Sequence, residues 1–99
     1  MAEKSQDKNG VEVTVEHHPE QNFYGVYYEG SETPAALVEY QDRANQRVFY
    51  HTGTEAEFGG RGLASIVVGY ALQDTAANTP EKHVIPRCPF VKAYIEKNK

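Results

Sequence analysis

The sequence predicts an α+β (mixed α/β) fold: a four-stranded antiparallel meander, then a helix, a fifth strand and a C-terminal helix. Three observations predict it. The first half holds short stretches in which apolar and polar residues alternate, bounded by turn residues. From Leu63 the apolar residues recur instead at spacings of three and four, the period of a helix. A short apolar run and a second helical stripe follow that helix. A strand reached through a helix is able to lie parallel to its neighbour.

Met1 to Gly10 is polar and lysine-containing and reads as a frayed tail, leaving 11–99 as a single domain. Val11-Glu12-Val13-Thr14-Val15 alternates and gives the first strand. His17 to Asn22 reads as a turn. Phe23 to Glu29, aromatic and β-branched, gives the second strand. Gly30 to Pro34 is a turn cluster. Ala35 to Tyr40 gives the third strand, and Asp42 to Asn45 closes a hairpin onto the fourth, Val48 to Thr52. The long helix is expected from about Gly60 to about Ala77, ended by Asn78-Thr79-Pro80. His83 to Pro86 is the fifth strand. Phe90, Val91, Tyr94 and Ile95 mark the last helix, with Pro89 suited to its first turn.

Composition limits the function. The chain has 99 residues, with 39% hydrophobic and 24% charged residues, as an ordinary globular domain has. Such a length buries roughly two thirds of the unfolded surface, enough for one modest core. Seven Tyr and four Phe without a Trp make aromatic packing a large part of that core. A net charge of −4 argues against a nucleic-acid role and against anionic membrane surfaces. The single Cys88 excludes an intrachain disulfide, and the histidines lack metal-ligand spacing. No apolar run approaches the roughly 20 residues of a membrane span, and Met1 to Asn9 lacks the apolar stretch of a signal peptide. These features give the expectation of a cytoplasmic protein that binds neither nucleic acid nor membrane, as a monomer or weak dimer.

The most informative segment is Glu57-Phe58-Gly59-Gly60-Arg61-Gly62, between a strand and a helix. Three glycines in four positions allow a tight turn and close approach to a ligand. The first N–H groups of a helix have no partner within it and carry the positive end of its dipole, so a pyrophosphate placed there gains several hydrogen bonds. Arg61 is able to add a charge-assisted contact. The plain alternative is a glycine pair that only makes a loop. The Rossmann and Walker fingerprints are both absent.

Gly60-Arg61-Gly62-Leu63-Ala64-Ser65 after an apolar strand resembles the acyl-CoA loop of the GNAT superfamily of N-acetyltransferases, written Arg/Gln-x-x-Gly-x-Gly/Ala. The resemblance is closer to the minimal members of about this length. Their pattern is a strand ending in His-Thr, the glycine-rich loop and helix, then Cys-Pro-Phe and a Tyr-containing helix. Here those pieces are His51-Thr52, the loop, Cys88-Pro89-Phe90 and Val91 to Ile95. The resemblance covers about residues 11 to 98. It implies acetyl-CoA as cofactor, with the fourth and fifth strands splayed around its pantetheine arm. Phe49, Tyr50, His51 and Thr52 would border the arm. Phe58, Gly59, Gly60, Arg61, Gly62, Leu63, Ala64 and Ser65 would hold the pyrophosphate. Gly59 departs from the pattern, standing where the superfamily has Arg or Gln. The final hairpin that larger members use to form an acceptor pocket has no counterpart, which implies an acceptor site that is open or absent.

Acetyl transfer to an amine needs a base and an acid, or else a nucleophile. Cys88 is the only thiol, placed before Pro89 and a helix start that lowers thiol pKa values; it reads equally as a small buried hydrophobe. His51 reads as a general base or as a strand-end histidine bonded to backbone. A His51–Cys88 dyad requires the two to meet across the strand gap. Tyr94 lies in a helix resembling the one that carries the general acid in larger members, or is a core aromatic sharing a face with Phe90. Tyr50 points away from His51 if the strand is regular. Scattered carboxylates, Glu39 and Asp42 among them, form a solvated face that suits a cationic acceptor, a small molecule or a protein lysine.

Two functions follow, with a third disfavoured. The first is an N-acetyltransferase acting on an amine. The second is a non-catalytic CoA or acyl-CoA module, a sensor or carrier. The Gly-Arg-Gly loop and Cys-Pro-Phe speak against an interaction domain that has lost its cofactor.

Overall fold

The computed structural model describes residues 2–98. Its strands are β1 (Ala2–Gln6), β2 (Glu12–His18), β3 (Phe23–Tyr28), β4 (Ala36–Arg43), β5 (Gln46–Thr54) and β6 (His83–Pro86). Its helices are α1 (Leu63–Asn78) and α2 (Pro89–Lys97), and a single 3₁₀ turn covers Ala56–Phe58. One mixed sheet runs β1-β2-β3-β4-β5-β6, antiparallel throughout except for the parallel pair β5–β6.

The sheet therefore has six strands, not five, and its antiparallel part has five, not four. The added strand, β1, lies in the segment expected to fray; it pairs with β2 from Ala2↔Glu16 to Gln6↔Glu12. Glu3, Lys4 and Gln6 are exposed, so β1 buries no apolar face and shows no apolar alternation. Charged edges of this kind also discourage pairing with other chains. The β1–β2 turn is fixed by Asp7, whose Oδ1 accepts the N–H groups of Asn9 (2.8 Å) and Val11 (2.9 Å), an Asx turn. Strand β2 also runs on through His17 and His18. His17 continues the inward alternation and stacks on Tyr24, with ring centroids 4.0 Å apart. His18 stacks on Phe23.

The helix-facing positions are Val13 and Val15 of β2, Tyr24 and Val26 of β3, Val38 and Tyr40 of β4, and Phe49 of β5. Leu63, Val67, Val68 and Ala71 of α1 and Val91 of α2 close this core. Period 2 in the strands and period 3.6 in α1 are two views of one buried surface.

Buried polar groups join the layers. Arg47 of β5, 4% exposed, donates to both carboxylate oxygens of Asp42 (2.8 and 3.1 Å), to the Tyr24 hydroxyl (3.0 Å) and to Thr75 Oγ1 (3.3 Å). Tyr24 donates in turn to Asp74 of α1 (2.7 Å). His17 lies between Tyr40, 2.7 Å from Nε2, and Asp74, 3.4 Å from Nδ1. Among the described residues, every buried side-chain N or O atom has a partner. No helix among them is long and apolar enough to cross a membrane.

Burial pushes the His17 imidazole below its ordinary value; the nearby Asp74 opposes this, and the Arg47 guanidinium adds to it. A depressed histidine gives stability that is complete above the unfolded value of 6.5 and lost as pH falls through the folded one. Urea midpoints are therefore expected to decline on acidification below about pH 6.5. Asp42, which the Arg47 hydrogen bonds hold low, titrates in a separate and more acidic range. His17→Gln is expected to lower stability by about 1–2 kcal/mol at pH 7 and to flatten the decline between pH 7 and 5. An unchanged slope in that variant assigns the decline to another group.

Candidate active site

Two features meet at one end of the sheet. The first is a gap. β5 and β6 pair from Gln46↔His83 to Phe49↔Pro86 and then part, because Pro86 has no N–H to offer and the chain turns away. The Arg87 and Cys88 N–H groups both donate to the Phe49 carbonyl (3.0 Å each), and α2 starts at Pro89. Beyond Phe49 the outer edge of β5 has no strand beside it among the described residues.

The second feature is the glycine-rich loop. Gly60 and Gly62 both have φ of 77°, a left-handed conformation that glycine adopts without strain. A β-carbon on Gly60 would meet nothing within 4 Å, so the loop backbone there is open to a ligand. Gly62 caps α1, whose first turn holds no acidic residue. A cavity of about 230 Å³ is lined by residues 58–65, Thr54 at the end of β5 and Phe90 in the first turn of α2. The loop, the end of β5 and the first turn of α2 thus line one space.

Arg61 is committed within the protein. Its guanidinium packs over the Phe58 ring (5.2 Å) and the Tyr28 ring (5.7 Å) and donates to the Tyr28 hydroxyl (3.3 Å). Tyr28 donates to Asp7 Oδ2 (2.6 Å), and the Lys8 N–H donates to the Arg61 carbonyl (2.9 Å). Asp7, Lys8 and Tyr28 were not legible as neighbours of this loop. The Asp-x-Asn-Gly run at residues 7–10 was the one available signal, as a turn between two strands.

Cys88 sits in the gap, 7% exposed, with its sulfur 3.1 Å from Thr52 Oγ1. Burial pushes its thiol up. The Thr52 hydroxyl and the N–H groups of Val91, Phe90 and Thr52 outweigh burial and bring it below its ordinary value. Two of those N–H groups belong to the start of α2, which favours an anion there.

His51 does not share this environment. In register, Tyr40 faces Phe49 and Glu39 faces His51, so Tyr50 is an extra residue, a β-bulge. A regular strand would keep Phe49 and His51 on one face. The bulge shifts the alternation, turns Thr52 toward the helices and Cys88, and puts His51 on the opposite face. There His51 is exposed and lines a second cavity of about 230 Å³ with Glu39 and Glu55. Tyr50, on the bulge, is 51% exposed. Tyr94 lies against α1: its hydroxyl is 2.6 Å from where a β-carbon on Gly69 would stand, which explains the glycine in mid-helix. Phe49 is core, and its carbonyl anchors the turn into Cys88.

The molecule is thus an α+β domain whose single sheet parts beside a buried thiol and a glycine-rich helix start. Residues 23–99 match the family model of the GCN5-related N-acetyl-transferases, and the chain belongs to that family. No curated protein matches it.

If Thr52 helps hold a thiolate, Thr52→Val is expected to move the midpoint of the pH profile for iodoacetamide alkylation of Cys88 upward. The rate at pH 7 should fall roughly three- to tenfold, the effect of one hydrogen bond to a charged group. An unmoved midpoint leaves the α2 N–H groups as the source of the low value.

Proposed function

We propose that this chain binds acetyl-CoA and transfers its acetyl group to an amine. One observation carries the reading: the glycine-rich loop, Thr54 at the end of β5 and Phe90 in the first turn of α2 line one cavity, two residues along each element from Thr52 and Cys88, which are in contact. The N–H groups at the start of α1 would hold the phosphates, at a backbone that Gly60 keeps uncovered. The unpaired edge of β5 at residues 50–52 would bond the amides of the pantetheine arm, as an added strand does. When bound, the cofactor supplies an acetyl group activated as a thioester.

The protein's own groups divide the remaining work. Cys88 holds negative charge at Sγ more readily than an ordinary thiol, through Thr52 and the start of α2. His51, in a cavity with Glu39 and Glu55, would take a proton from an amine whose positive charge the carboxylates attract. Tyr94, pressed against Gly69, fixes α2 and with it the position of Cys88.

Titration of the labelled protein with acetyl-CoA tests the placement. Amide shifts are expected at residues 49–52 and 58–65, and their absence at millimolar ligand would falsify the reading. Gly60→Asp is expected to weaken binding about tenfold or more by placing a carboxylate against phosphates. Gly60→Asn, with the same backbone demand and no charge, should lose much less.

A second reading, a CoA-binding module without turnover, draws support from the separation of His51 and Cys88 onto opposite faces. Cys88→Ala addresses both. Retained CoA binding with acetylation of a polyamine lost supports passage of the acetyl group through Sγ. Unchanged acetylation supports direct transfer, and no acetylation by either protein favours the module.

A further inference from the structure

We propose that Lys8, on the β1–β2 turn, is a phosphate-binding residue of the loop at the start of α1. The inference rests on the acetyl-CoA reading and extends it to a segment before the matched residues 23–99.

Backbone and side chain both place Lys8 there. Its N–H is tied to the Arg61 carbonyl at 2.9 Å. Its stem crosses Gly62: Cγ and Cε lie 3.2 and 3.4 Å from the position of a Gly62 β-carbon. The ammonium, one bond beyond Cε, is therefore close to Gly62, the residue that caps α1. The turn that carries it is held by Asp7, 5% exposed, through the N–H groups of Asn9 and Val11 and the Tyr28 hydroxyl.

The charge arrangement calls for an anion. A cation at a helix N-terminus opposes the helix dipole, and acidic residues normally occupy that turn. Here the first turn of α1 has none, while Lys8 and Arg61 both lie beside it. The nearby carboxylates, Asp7 and Glu57, act on Arg61, whose guanidinium is engaged by Tyr28 and Phe58. Lys8, whose stem lies over Gly62, adds a second cation beside the helix start, in a chain of net charge −4. A local conflict of this kind is what a binding site produces, and a bound phosphate resolves it.

Calorimetric titration with coenzyme A tests the assignment. Lys8→Met keeps the stem over Gly62 and removes the charge; it is expected to weaken binding roughly fivefold, the value of one exposed charge-assisted contact. Lys8→Arg should restore affinity to within about twofold, which a purely packing role would not require of a charge. Pantetheine, which has no phosphate, should bind wild type and Lys8→Met alike. A loss that persists with dephospho-CoA assigns the contact to the pyrophosphate, and one that disappears assigns it to the 3′-phosphate; either supports the proposal. Lys8→Gln serves in place of Lys8→Met if the latter does not give a native amide spectrum. Equal coenzyme A affinity in wild type and the uncharged variant overturns the role of Lys8 while leaving the cofactor reading intact. A wild-type protein that does not bind coenzyme A overturns both.

Discussion

Arg47 is the point on which the layers of this small domain depend. From β5 it gathers Asp42 beyond the β4–β5 turn, Tyr24 of β3 and Thr75 of α1, and Tyr24 passes the connection to Asp74. Removing one member of a buried ionic network typically costs about 3–5 kcal/mol, a large share of the roughly 5–15 kcal/mol that holds a domain folded. Arg47 also lies opposite Val84 in the parallel pair, two residues before β5 and β6 part. The network therefore fixes the far end of α1 and the closed end of the gap together. Leu63, at the other end of α1, is eleven residues and about 16 Å from Asp74, so a helix pinned at one end presents its N-terminus at the mouth of the gap.

That mouth is assembled from parts of different kinds. The glycine loop contributes backbone, α2 contributes its first N–H groups around Cys88, and β5 contributes an unpaired edge and the Thr52 hydroxyl. None is a strong site alone. Their convergence follows from one topological event, the loss of β5–β6 pairing after Pro86. Membership of the GCN5-related N-acetyltransferase family accords with it.

Much of this was legible in the residues, for physical reasons. Val13/Val15, Val26 and Val38 alternate because each strand buries one face, and Leu63, Val67, Val68 and Ala71 repeat because α1 does the same. Strand β1 was not legible, since an edge strand with charged and polar side chains shows no period; backbone bonds to β2 and an exposed Lys4–Glu12 pair hold it. His17 and His18 were read as a turn because histidine is a weak strand signal, yet both stack on strand aromatics. Within the site, the loop and Cys88 were singled out from the sequence, whereas Thr52 as the partner of Cys88 was not. That pairing depends on a bulge, and an extra residue in a strand leaves no mark in composition or period. The Asp7–Tyr28–Arg61 chain spans distances in sequence that no local pattern registers.

The bulge at Tyr50 has a consequence for access. By shifting the alternation of β5, it exchanges the sides that two neighbouring residues take: Thr52 stands with the thiol, and His51, which a regular strand would turn toward the helices, stands with Glu39 and Glu55. The sheet is then a partition between the two side chains, and β5–β6 pairing ends beside it at Phe49 and Pro86. A single inserted residue thereby gives the two faces different chemistry: a thiol and a hydroxyl on the helix side, an imidazole between carboxylates on the other.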